Sequence, residues 1–185
     1  YLNDIRRKKA HILSNAGEKI LAAAGDLAQA PDDIFGLLNN ADLTFDSVTD
    51  IEGNRLSVTH ASFIPLLQNY DRNIRKDAFE SLYKTYAKHK NTSAAILSSQ
   101  MKQLNFFAKM RKYNSPLEAA LDNTNVNPNV YYNLIETVHE NMESMYKYIR
   151  LRKKLLNVEE LHMYDLYVPM VSNAERTISF DETKN

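Results

Sequence analysis

Asp71-Arg72-Asn73-Ile74-Arg75-Lys76-Asp77-Ala78-Phe79-Glu80-Ser81-Leu82-Tyr83-Lys84-Thr85-Tyr86 decides the fold class. Ile74, Ala78, Leu82 and Tyr86 recur every four residues and so share one face of an α-helix, and Asp71 stands where an N-cap carboxylate would. With a drift in phase, the stripe continues through Leu97, Met101, Leu104 and Ala108. Tyr113-Asn114 ends it, which predicts a long helix over about 71–113. Downstream, Ser115-Pro116 caps a short helix (Leu117 to Leu121), and the polar stretch Asp122 to Asn127 reads as a loop. Asn127-Pro128 then opens a second long helix over about 128–156. Its inward stripe is Val130, Leu134, Val138, Met142, Met145 and Ile149. Arg150, Arg152, Lys153 and Lys154 crowd its last turns, where solvated cations complement the helix dipole. A connection of only about a dozen residues predicts that these long helices form an antiparallel pair.

Upstream, Ser14 reads as an N-cap ahead of Glu18, Ile20, Leu21 and Ala24, in a helix that Gly25 weakens. A separate short helix is expected to start at Pro31, with Asp32 and Asp33 in its first turn and Asn39-Asn40 at its end. The period then changes to two. Leu43-Thr44-Phe45-Asp46-Ser47-Val48 and Leu56-Ser57-Val58-Thr59 alternate apolar with polar, and Gly53 supplies the positive φ of a tight reversal between them. One β-hairpin over about 43–59 is expected. Two strands alone are marginal in water, so it must pack on helices or other strands. Ser62 to Leu67 is a further short helix, and Ile178-Ser179-Phe180-Asp181-Glu182 reads as a strand-like start towards a new element.

The expectation is therefore a mainly α chain, 1–185, in one helical piece with a long helix pair and a hairpin. Composition agrees: among 185 residues there are four glycines and five prolines, too few for a turn-rich sheet protein. The absence of cysteine excludes disulfides, thiolate zinc sites and a cysteine nucleophile. Twenty-three basic against 23 acidic residues argue against a nucleic-acid binder and give no attraction to an anionic membrane surface. No apolar run reaches the roughly 18 residues of a membrane helix. Residue 1 is tyrosine, and the first nine residues read as the middle of an amphipathic helix, which suggests a piece of something longer.

Candidate chemistry is sparse. His139-Glu140-Asn141-Met142-Glu143 resembles half of a zinc-peptidase helix, but the fourth-on position holds glutamate where a second histidine ligand is needed. Glu136-x-x-His139 matches half of a di-iron motif, whose chemistry needs a second such pair and two more glutamates, all on neighbouring helices. Both read better as solvated polar faces, and Tyr131-Tyr132 as core. No catalytic, cofactor-binding or metal residue is assigned. The segment from His162 to Val171 is different: aromatic and apolar side chains crowd a stretch that Pro169 keeps from being helical throughout. Such a loop either plugs a core or lines a cleft, where a tyrosine hydroxyl could donate to a peptide or an oxyanion.

Leu161-His162-Met163-Tyr164-Asp165-Leu166-Tyr167-Val168-Pro169-Met170-Val171 resembles a block of the oligoendopeptidase F family, relatives of thimet oligopeptidase. Ala41-Asp42-Leu43-Thr44-Phe45, Thr59-His60, Asp71-Arg72-x-x-Arg75-Lys76-x-Ala78-Phe79-Glu80, Phe107 to Tyr113 and Leu117-Glu118-Ala119 match it in the same order. The resemblance implies a zinc metallopeptidase that cleaves oligopeptides in a deep channel between helical halves. The family's His-Glu-x-x-His helix and third glutamate ligand lie downstream of these blocks and have no counterpart here. A middle fragment is therefore expected, cytoplasmic, lacking bound zinc, inactive alone and prone to self-association through uncovered apolar faces. Its substrate-channel candidates are His162, Tyr164 and Tyr167, and the hairpin is expected to border the channel. The alternative is a stand-alone, non-catalytic helical interaction module.

Overall fold

A computed structural model describes residues 2–171 and Lys184. Among the described residues there are eight α-helices and a two-stranded antiparallel sheet, so the protein is mainly α. The chain divides into two compact units, Tyr1–Thr44 with Lys84–Glu140 and Phe45–Tyr83 with Asn141–Asn185. The Ile178 to Glu182 segment lies outside the described residues.

The first unit opens with α1 (Leu2–Lys8) and α2 (Asn15–Leu37). Ser14 caps α2 through a hydrogen bond from the Gly17 N–H. Where two helices are expected here, there is one: α2 runs through Gly25 and Pro31 without interruption. Proline costs a single intrahelical hydrogen bond, and its fixed φ is helical, so the packing of α2 along a neighbouring helix outweighs the local signal for a new helix start. Nor do Asn39-Asn40 end the helix; a wider π turn, Leu38–Asp42, carries it on.

That neighbour is α5 (Lys90–Met110), which also packs against α6 (Pro116–Asp122). The stretch 71–113 is thus carried by two helices, α4 (Arg72–Lys88) and α5, separated at His89. Similarly, 128–156 is carried by α7 (Pro128–Glu140) and α8 (Met142–Leu155), with Asn141 between them. The stripe expected to face inward is largely open. Val130, Leu134, Val138 and Met145 are each more than half exposed, and α7 buries none of its residues. Seven-residue periodicity reports an apolar face, but not whether anything covers it.

Polar contacts tie the start of the chain to residues 111–122. Arg7 donates to both the carbonyl and the carboxylate of Asp122, which also accepts from the Tyr113 hydroxyl at 2.8 Å. His11 stacks on Tyr113 with centroids 3.7 Å apart and donates from Nδ1 to the Arg111 carbonyl. Arg111 in turn forks onto both carboxylate oxygens of Glu18, at 3.1 and 3.0 Å. That fork, together with the Leu13 N–H, lowers the pKa of Glu18.

In the second unit, strands β1 (Val48–Thr49) and β2 (Arg55–Leu56) pair Val48 with Leu56 and Thr49 with Arg55. The ladder is shorter than the alternation over 43–59 suggests. Asp50 accepts from the Glu52 and Asn54 N–H groups, and Gly53 takes φ 87°, so the turn is built as its residues dictate. Val48 packs with Val58, with Leu66 of α3 (His60–Leu67) and with Ile74 and Ala78 of α4; Phe45 and Leu56 flank them. This cluster is the support that a two-stranded sheet requires.

Candidate functional site

After α8 the chain turns at Asn157 (φ 50°) and runs to a 3-10 turn at Met163–Asp165. The apolar run Leu161 to Val171 predicts burial of its large side chains, yet its most deeply buried residue is a carboxylate. Asp165 is fully buried, Val168 nearly so. Two cations from one face of α4 explain how the charge is tolerated. Arg72 reaches Asp165 through Nε and a terminal nitrogen, at 3.2 and 2.9 Å. Arg75, three residues on, reaches it at 2.8 Å and is itself buried. The His162 N–H adds a third donor type at 3.0 Å. Burial alone would raise the Asp165 pKa, but these donors reverse the effect and bring it from 3.8 to about 2.

A third arginine closes the arrangement. Arg152 of α8 is buried and donates to the Asp165 carbonyl at 2.9 Å, to the Val168 carbonyl and to the Tyr148 hydroxyl. This corrects the reading of residues 150–154 as a solvated basic run. Arg150 fits that reading, with a largely exposed pair to Glu143 at 2.6 Å, whereas Arg152 points inward to satisfy loop carbonyls. Arg75 likewise holds the Asn69 and Tyr70 carbonyls. Three guanidinium groups thus pin a segment that lacks the backbone ladders of a helix or a sheet.

The candidate side chains sit on this pinned loop. Tyr164 is half-buried, with Arg72 over its ring at 5.4 Å and Phe79 edge-on at 6.0 Å. His162 stacks on Tyr164 with centroids 5.0 Å apart and remains exposed. Tyr167 is 49% exposed. Loop packing and side-chain display therefore coexist, divided between Tyr164 on one hand and His162 and Tyr167 on the other.

None of this arrangement fits a metal. Among the described residues no group of three or more His, Asp or Glu side chains could hold a metal ion. A zinc ion has no ligand set in these residues. Nor, among the described residues, is any helix long and apolar enough to cross a membrane.

Comparison with known proteins supplies the frame. The model of Peptidase family M3 matches residues 65–185, and that of Oligopeptidase F matches residues 1–45. The chain belongs to peptidase family M3. Within that family it is 41% identical over 184 residues to Oligopeptidase PepF of Bacillus subtilis, covering 100% of this chain and 28% of that protein. The crystal structure of oligoendopeptidase-F from Enterococcus faecium superposes with a TM-score of 0.89 at 40% identity, over 94% of this chain and 34% of that one. That of a putative peptidase from Chlamydophila abortus gives 0.91 at 33% identity, over 98% and 30%. This M3 chain thus spans about a third or less of the length of these relatives. Arg72, Arg75, Arg152 and Asp165 all fall in the M3-matched segment, while the hairpin lies between the two matched segments.

Proposed function

We propose that the chain is part of a zinc-dependent metalloendopeptidase of oligoendopeptidase F type, a cytoplasmic enzyme that hydrolyses oligopeptides. Its share is helical scaffold and part of the peptide channel, with the metal ligands contributed by other parts of the longer polypeptide. The observation that carries this reading is the 41% identity to a full-length oligopeptidase along the whole of this chain. His162 and Tyr167, displayed on the pinned loop, are the groups available to a peptide, and Tyr164 orients His162 by stacking. The short ladder of β1 and β2 offers extended backbone beside which a peptide strand can lie.

The test is hydrolysis of an internally quenched oligopeptide by the full-length natural protein and by the 185-residue chain. Chelator-sensitive cleavage is expected from the former and none from the latter. An inactive full-length protein would remove the peptidase reading; zinc-dependent cleavage by the chain alone would place the metal site within it. In the full-length protein, Tyr167→Phe is expected to raise KM with kcat little changed, and an unaltered KM would remove Tyr167 from the channel.

A further inference from the structure

Along the seam where α2 packs on α5, the two helices leave a cleft of about 470 Å³. Leu27, Pro31 and Ile34 wall it on one side, and Ala95, Ile96 and Ser99 on the other. Its apolar lip is open to solvent: Leu27 is 80% exposed, Ile34 51% and Ile20, one heptad earlier, 68%. Ile20, Leu27 and Ile34 repeat every seven residues, the spacing that holds side chains along one seam between packed helices. Across from them Ala95 and Ser99 are small, leaving room for another helix to approach.

Charge follows the same period. Asp26 and Asp33 immediately precede Leu27 and Ile34, and on α5 the heptad series from Ala95 continues with Lys102 and Lys109. All four charged residues are exposed, and none is paired with another described residue. The helices as wholes are opposite in sign. α2 carries Glu18, Asp26, Asp32 and Asp33 against Lys19, a net −3, whereas α5 carries Lys90, Lys102 and Lys109 with no acid, a net +3.

We propose that this face docks a second copy of the chain about a two-fold axis, with α2 of each copy lying against α5 of the other. An isologous contact of that kind sets each acidic line opposite a basic one and fills each cleft with the partner's apolar heptad. Pairing α2 with α2 would oppose like charges along the same length. The proposal stands independently of the peptidase reading, since its readout is mass and not hydrolysis.

Sedimentation velocity of the 185-residue chain over roughly 1–200 µM, the range suited to a contact of modest area, tests it. A reversible monomer–dimer equilibrium is expected. Reversing the acidic line (Asp26→Lys with Asp33→Lys) or the basic line (Lys102→Glu with Lys109→Glu) should each weaken self-association about tenfold or more. An equimolar mixture of the two variants should restore a dimer, because each supplies the sign that the other lacks. Leu27→Glu should abolish association while leaving the circular dichroism spectrum unchanged, and it carries the test if either charge variant fails to fold. A monomer at every concentration overturns the proposal. So does a dimer indifferent to these changes, or a mixture that stays monomeric.

Discussion

The Arg75 guanidinium meets the Asp165 carboxylate at 2.8 Å where neither reaches water, with side-chain exposures of 4% and 0%. Removing one partner of such a pair leaves the other charged and desolvated. Asp165→Asn and Arg75→Met are each expected to destabilise the chain by about 3–5 kcal/mol. The double variant should lose less than the sum of the two. Urea unfolding monitored by circular dichroism checks this, and unchanged midpoints would show that the pair contributes nothing.

Acid should act through the same carboxylate. The folded-state pKa of Asp165 is depressed from 3.8 to about 2, so its contribution is fully present above about pH 4 and is lost as pH falls towards 2. The stability difference between the wild-type chain and Asp165→Asn should therefore be flat from pH 7 to about 4.5 and shrink below that. A difference that stayed constant down to pH 2 would count against the assignment.

Two arginines, two residues apart, should behave in opposite ways. Arg152→Met strips donors from the Asp165 and Val168 carbonyls and should cost about 2–4 kcal/mol. Arg150→Ala removes a pair whose members are both more than 60% exposed and should change stability by less than about 0.5 kcal/mol. Equal effects would mean that exposure is misassigned at one of the two positions.

Backbone substitutions separate two local signals. Pro31→Ala restores a missing N–H within α2 and should stabilise the chain by about 1–3 kcal/mol. Gly53→Ala forces a side chain into φ 87° and should destabilise it by about 1 kcal/mol. Thermal unfolding of the two variants gives both signs, and a reversal of either would refute that part.

What the sequence disclosed was local. The cap at Ser14, the Ser115-Pro116 start, the Asn127-Pro128 start and the Gly53 turn are each decided by residues a few positions apart, and each stands where expected. The clamp depended on distance: Asp165 is 90 residues from Arg75 and 93 from Arg72, so no short window contains both signs. Arg152 illustrates the same limit from the other side, because its neighbours Arg150, Lys153 and Lys154 look alike in sequence. Pro31 went the other way: read as the start of a separate helix, it lies inside α2, its local signal overruled by a packed helix. One clue to the clamp was available: an aspartate inside an otherwise apolar run needs a partner if it is buried, and Arg72 and Arg75 lie on one helix face three apart.

The anchoring of the first helix has a consequence for biosynthesis. Arg7 and His11 find their partners at Asp122 and Arg111, 115 and 100 residues later. At about 5–20 residues per second, a ribosome would leave α1 without its anchor for roughly 6–23 s. Throughout that interval its exposed Leu2 and Ile5 face the crowded exit of the ribosome. Helix α1 thus docks only once residues 111–122 have been made, and nascent-chain holding factors should engage it in that interval.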